Sequence, residues 1–447
     1  MSLPMRIFLV QSAQGLRNTS GGYKANLFLL KSFLSKGSAV RAMAFCREKE
    51  LLSDDVASYT VEHHHLGRSL ASGKPIRQRV YRFNFDGIST IGLELDDWLE
   101  VFPKSWMTKQ IRPALERHAA WLEDREPVSE YEAYAEFLRR ELAEFKAEYF
   151  IFNEATSLKI AAKYPHLVRI FIVHCCEHLP FGPYAAVPGF GSSTSEVERQ
   201  RIIEDVDGIW VVSAAMKEYV ERHGGIKSTQ LPLHPLLYGE GPDWPFYDNF
   251  DTGKVVAINP GSVKGFTIFR DLVASIPDVE FGAAWNVTEL QAKELESFAN
   301  LTLYEIFANM EELWRNVKLL VVPSVWYEAF GLVVVEAQLR GIPVIASAVG
   351  GLPEAKCSTS FGVIPVNLIS GERTEDPSEI ASTGIYKYPP QDVSPWIREV
   401  KRLIYNRDIY RAASEESRQK SKEFVRSIDT DCYENWFRQL ALKKEKV

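Results

Sequence analysis

The chain has 447 residues, enough for two or three domains with substantial cores. Hydrophobic residues make up 46% and charged residues 25%, and a net charge of −7 argues against nucleic acid or an anionic membrane as the main partner. Five cysteines, odd in number and without a CxxC pair, argue against a disulfide framework. Met5-Arg-Ile-Phe-Leu-Val-Gln11 is a short apolar run suited to a buried parallel strand, and it starts too early to leave room for a signal peptide. No uncharged run approaches the length of a membrane span, so a cytoplasmic protein without a transmembrane segment is expected. Polar Ser12–Ser20 leads into Gly21-Gly22 and a helix with Leu27, Leu30 and Leu34 on one face; Gly37 ends it, and Ala39–Phe45 is the next strand.

Residues 95–145 are charge-rich and read as an insertion of helices with solvated faces. Strands return at Glu148–Phe152, Val168–His174 and Gly208–Val212. The stretch 238–251, YGEGPDWPFYDNFD, lacks periodicity and suits a linker. A second α/β rhythm follows, with strands at Lys254–Ile258, Val279–Ala284, Leu319–Val322 and Val344–Ala346 and helices near Phe266–Ala274 and Leu332–Arg340. The tail from Pro395 to about Leu442 is helical. The expected fold class is α/β, two Rossmann-like doubly wound domains facing across a cleft: 1–237, the 238–251 linker and 252–427, with 428–447 as a final helix.

One residue stands out chemically. Glu336 lies in Leu332-Val-Val-Val-Glu-Ala-Gln-Leu339, an otherwise greasy helix, and a buried carboxylate needs a hydrogen-bonding partner. That partner is either a pair of vicinal hydroxyls, such as a ribose, or a basic side chain from a neighbouring element. The loop before it, Glu328-Ala-Phe-Gly-Leu332, brings free backbone amides to a helix N-terminus, an anion site by geometry and dipole. Asn259-Pro-Gly-Ser262-Val-Lys264-Gly265 follows the first strand of the same domain, where a phosphate-binding turn belongs, although the Walker A spacing is absent. His174 stands at the C-terminal end of a parallel strand, where open α/β sheets bind ligands, and Glu177 and His178 follow it.

Residues 254–356 resemble the donor-binding domain of retaining glycosyltransferases of family 4, which have the GT-B fold. The resemblance rests on Glu328-x7-Glu336, Pro323-Ser324, Phe330-Gly331, Gly341-Ile-Pro343, Gly350-Gly351-Leu-Pro-Glu354 and Lys264-Gly265, and more loosely on Gly21-Gly22 and His174. It departs from the family at Asn259, where an arginine is frequent. The resemblance implies a retaining hexosyltransferase acting on a nucleotide-sugar donor, UDP-sugar favoured and GDP-mannose the alternative. Glu336 would hold the ribose. Glu328 and the amides of Phe330, Gly331 and Leu332 would hold the sugar and β-phosphate. Lys264, with Asn259 and Ser262 in its turn, would meet the departing diphosphate, and Gly21, Gly22 and His174 would act from the other domain. The final helix would pack back on the first domain.

His63-His64-His65 reads as part of a solvated strand or loop. Asp429-Thr-Asp431 mimics a metal-binding DxD but precedes a helix, where aspartates cap. No metal and no cofactor beyond the co-substrate is expected. The acceptor is undetermined: a small molecule, a glycan or a lipid, with peripheral membrane contact left open. Tyr81, Phe83, Phe85, Phe181, Tyr184 and Phe190 read equally as an acceptor pocket or as ordinary core. The rival functions are a non-catalytic nucleotide-sugar sensor or regulatory protein and a GT-B epimerase.

Overall fold

The computed structural model describes residues 4–14, 21–52, 56–105, 120–153, 155–185, 204–239, 241–284, 287–305, 309–370 and 387–446, with isolated positions 117, 200, 202, 307, 372 and 374. The chain forms two compact units. The first is Met1–Val212, Lys217–His234 and Asp429–Val447; the second is Ser213–Met216 and Pro235–Ile428. The principal helices are α1 (Gly21–Ser35), α2 (Leu95–Val101), α3 (Ser129–Phe145), α4 (Phe266–Ser275), α5 (Glu289–Glu296), α6 (Leu332–Leu339), α7 (Ser394–Ile404), α8 (Arg407–Arg426) and α9 (Asp431–Lys444).

Among the described residues, the first unit's sheet has the strands β1 (Arg6–Gln14), β2 (Ala39–Cys46), β3 (Tyr59–Arg68), β4 (Pro75–Phe85), β5 (Ile88–Glu94), β6 (Tyr149–Phe152), β7 (Val168–Val173), β8 (Gly208–Val211) and β9 (Thr229–Gln230). Their order is β3-β4-β5-β2-β1-β6-β7-β8-β9. From β5 to β9 every pairing is parallel, and β6 and β7 are buried at each position, which is why they read as continuous apolar runs. The antiparallel β3–β4–β5 extension was not anticipated beyond the solvated histidines. Its edge strand β3 has no buried residue, so no two-sided apolar run marks it.

Helix α3 is more than a solvated insertion. Its inner face buries Tyr134, Leu138 and Phe145, with Phe145 6.1 Å from Phe8 of β1 and Tyr134 stacked 5.9 Å from Phe45 of β2. Helix α9 completes a different core cluster: Tyr433, Trp436, Phe437 and Leu440 pack with Leu9, Ile170 and Trp210, and Phe33 lies 4.7 Å from Phe437. Its ends are tied by Asp431 to Lys36 and by Lys444 to Asp207.

The second unit's sheet has β10 (Lys254–Ile258), β11 (Phe281–Ala284), β12 (Leu301–Tyr304), β13 (Val317–Val322), β14 (Val344–Ser347) and β15 (Val363–Ile364), in the order β12-β11-β10-β13-β14-β15. All its pairings are parallel. The chain winds outward from β10 to one side and returns at β13 to wind to the other. A crevice therefore opens at the C-terminal ends of β10 and β13, the topological switch point of the sheet. Within the stretch that is aperiodic in sequence, residues 238–239 and 241–251 pack into this unit: Trp244 is buried, and Asn249 Nδ2 donates to the carbonyls of Trp314 and Val317 at 2.8 Å each.

Candidate active site

The turn after β10 is built for close approach. Asn259 takes a left-handed φ of 52° while its N–H donates to the Ala284 carbonyl at 2.7 Å. Gly261 leads into the single turn Ser262–Lys264, and Gly265, at φ +90°, opens α4. A Cβ on Gly265 would lie 1.9 Å from the Pro323 carbonyl oxygen, so this turn presses directly on the loop that follows β13. The Val325 N–H donates to the Val263 carbonyl at 3.1 Å across the same contact. Gln291, buried on α5, donates from Nε2 to Ser262 Oγ at 3.3 Å.

That contact joins the two sequence-predicted charges. Lys264 Nζ donates to Glu328 Oε1 at 2.5 Å, and Ser324 Oγ, fully buried, donates to the same oxygen at 2.6 Å. The Glu328 side chain is 14% exposed and that of Lys264 42%, so the pair opens to solvent on the lysine side. The main chain at Glu328 is fixed: the Gly351 N–H donates to its carbonyl at 2.8 Å, and a Cβ on Gly350 would lie 2.1 Å from that oxygen. Gly331, at φ 108°, turns the loop into α6, whose first residue is Leu332; Phe330 is buried and stacks on Phe424 at 6.0 Å. Glu336 lies one turn into α6 and is only half-buried, less enclosed than the greasy sequence around it suggests. The basic residue one turn on, Arg340, donates to the backbone carbonyl of Glu336 at 2.8 Å and commits its guanidinium to Glu311.

In the first unit His174 follows β7. Its Nε2 shares a 2.7 Å hydrogen bond with Asn26 Oδ1, and since an amide oxygen only accepts, Nε2 is the protonated nitrogen. Gly22, next to Gly21 at the start of α1, faces this ring: a Cβ there would be 3.0 Å from His174 Cγ. Cys176 Sγ donates to Glu177 Oε2 at 3.4 Å, and burial pushes that thiol well above its usual range. The side chain of His178 and all of Phe190 lie outside the described residues.

Several other candidates have structural roles. Tyr81 and Phe83 belong to a small core with Cys46, Leu51 and Val56, and Tyr81 donates its hydroxyl to Glu94 at 2.8 Å; Phe181 and Tyr184 are buried as well. His63 and His65 are exposed on β3, while His64 bonds Glu62 at 3.2 Å. Asp429 accepts from the Asp431 N–H at 2.8 Å at the start of α9. Among the described residues no group of three His, Cys, Asp or Glu side chains is arranged to hold a metal. Two site neighbours, Ser324 and Gln291, were not singled out from the sequence. Ser324 was visible only as half of Pro323-Ser324, and it reaches Glu328 from four residues earlier in the same loop.

Residues 286–367 match the family described as glycosyl transferases group 1, a span that includes Ser324, Glu328, Gly331, Glu336 and Gly350 but not Lys264. The catalytic domain of starch synthase IV from Arabidopsis thaliana, bound to ADP and acarbose, superposes with a TM-score of 0.65 over 98% of this chain and 100% of that one, at 11% identity. The match to glycosyl transferases group 1 is confined to residues 286–367, and the fold of the chain is GT-B. An Anabaena protein in complex with UDP and glucose shares the fold at a TM-score of 0.57 and 12% identity, over 97% of this chain and 99% of that one. In sequence, the group 1 likeness includes a D-inositol 3-phosphate glycosyltransferase of Mycobacteroides abscessus, 38% identical over 98 residues. That alignment spans 22% of this chain and 18% of the relative's length.

Proposed function

We propose that the protein is a retaining glycosyltransferase that moves a sugar from a nucleotide-sugar donor to an acceptor. The observation that carries this reading is the meeting of Lys264 and Glu328 at the C-terminal ends of β10 and β13, the point where a doubly wound sheet binds its ligand. In this reading Lys264 stabilises the charge that grows on the departing diphosphate, a term that is large because it acts on charge developing in the transition state. The Ser262 hydroxyl and the amides of Phe330, Gly331 and Leu332 share that charge, with Asn259 shaping the turn. Glu336 takes the ribose hydroxyls and Glu328 those of the sugar. His174, with Gly21 and Gly22, is read as a ligand-contacting group of the first unit taken by itself.

A UDP-sugar is the favoured donor, with GDP-mannose the alternative, and the acceptor stays open among small molecules, glycans and lipids. The related fold that holds UDP and the one that holds ADP support a nucleoside diphosphate. Among the described residues no helix is long and apolar enough to cross a membrane. A cytoplasmic location is part of the proposal. Since Lys264 and loop amides meet the diphosphate, no metal is required.

Radiolabelled UDP-sugars and GDP-mannose incubated with the full chain test this directly. Release of free sugar, or its transfer to an added acceptor, is the expected result, and it should persist after chelator treatment. Binding without turnover would make the protein a sensor, and loss on chelation with rescue by Mn²⁺ would overturn the metal-free site.

A further inference from the structure

Lys264 and Glu328 are paired with each other, and this has a consequence for which nucleotide the site prefers. The carboxylate is anchored from two sides. Its Oε1 is held by the buried Ser324 hydroxyl at 2.6 Å, and its main chain is clamped by the Gly351 N–H at 2.8 Å and by the closeness of Gly350. A diphosphate that recruits Lys264 must take it from this fixed carboxylate, or bring a second anion beside it. A sugar on that diphosphate supplies hydroxyl donors to replace the lysine on Glu328. A bare nucleoside diphosphate supplies none.

The geometry points to Glu328 as a built-in competitor of the diphosphate for Lys264, which disfavours the bare nucleoside diphosphate relative to the nucleotide sugar. This rests on the proposed use of a nucleotide-sugar donor. Its effect in turnover is directional: once the sugar has left, Glu328 reclaims Lys264 and helps to expel the product nucleotide. Because the lysine side of the pair is exposed, the effect is modest, about two- to fivefold in affinity.

Isothermal titration of the full chain with UDP, GDP and ADP tests it, with ligand-observed NMR where binding is weak. Glu328→Gln is expected to tighten the bound nucleoside diphosphate about two- to fivefold, and to abolish the preference for the corresponding nucleotide sugar. Glu328→Ala should shift affinity in the same direction, which guards against an effect peculiar to the glutamine amide. In a Lys264→Met background the gain from Glu328→Gln should vanish, because there is no lysine left to compete for. A gain that persists or grows in that background would show simple anion repulsion and overturn the competition, as would unchanged or weaker binding in both single variants. Failure of the wild-type chain to bind any of the three nucleotides would overturn the proposed function and this inference together.

Discussion

Lys356 carries a charge into the core of the second unit. It is 1% exposed, its Nζ donates to the Val344 carbonyl at 2.6 Å, and it lies 4.3 Å above the Phe361 ring, so the ammonium meets a carbonyl and a π-face rather than a carboxylate. Burial pushes its pKa down to about 7. In the unfolded chain the amine titrates near its ordinary value of about 10.4. Between about pH 7 and pH 10 the unfolded chain therefore binds more protons than the folded one, and this residue makes stability rise with pH through that window. Below about pH 7 both states are protonated and the whole cost of burying the charge is present. Lys356→Met removes the charge with little change in bulk. It is expected to raise stability at pH 6 by more than about 1 kcal/mol, and to flatten the rise toward pH 10. Urea midpoints measured across pH decide the matter: an unaltered midpoint at pH 6 would mean the amine is better solvated than its surroundings indicate. Glu336→Ala belongs to the same scale, with weaker binding of UDP or GDP expected in titration and full retention of affinity counting against its ribose role.

Elements carry the site through backbone contacts, and glycine makes the closest of them. Gly265→Ala would place a methyl 1.9 Å from the Pro323 carbonyl and hold alanine at φ +90°. The turn after β10 and the loop after β13 must then separate, and Lys264 loses its register with Glu328. A loss of roughly 1–3 kcal/mol from the strained backbone alone is expected, together with loss of nucleotide binding. Gly37→Ala is the matched control: φ is +84° and nothing lies within 4 Å of the new methyl, so it should cost stability without touching binding. If Gly265→Ala bound nucleotide as well as Gly37→Ala, the two loops would not form one site. The same contact explains what could be read in the sequence and what could not. Strands β6 and β7 were legible because burial on both faces leaves only apolar residues, and the α6 loop was legible because Glu328 and Glu336 sit on one continuous segment. Strands β3 to β5 were not, since β3 alternates exposed and half-buried residues at a sheet edge. Ser324 and Gln291 were missed for a different reason. Gln291 reaches Ser262 across 29 residues, a neighbour that only packing brings near, whereas Ser324 lies four residues from Glu328 in one loop where no helical or strand periodicity marks the pair.

At the scale of the whole molecule, the first unit is not continuous in sequence. Its core joins Met5, Ile7 and Leu9 near one end of the chain to Phe437 and Leu440 near the other, with the second unit's residues lying between them in sequence. Helix α9 lies directly against the sheet: a Cβ on Gly208 of β8 would lie 2.5 Å from Leu440 and 2.8 Å from the Trp436 ring, so strand and helix are in direct contact. Removing the helix uncovers Phe33, Tyr149 and Trp210, each of which packs its ring against one of the helix's aromatic residues. Burial of even one such ring is worth roughly 3–5 kcal/mol when truncated to alanine, comparable with the net stability of a domain. A chain ending at Ile428 should therefore leave the second unit folded and the first largely unfolded at temperatures where the full chain is native. Phe437→Ala should lower the first unit's transition in the same direction without displacing the second. Calorimetry of the three proteins, with limited proteolysis to assign each transition to residues, reads this out. A truncated chain that kept both transitions at their full-length temperatures would show that the first unit closes its core without α9.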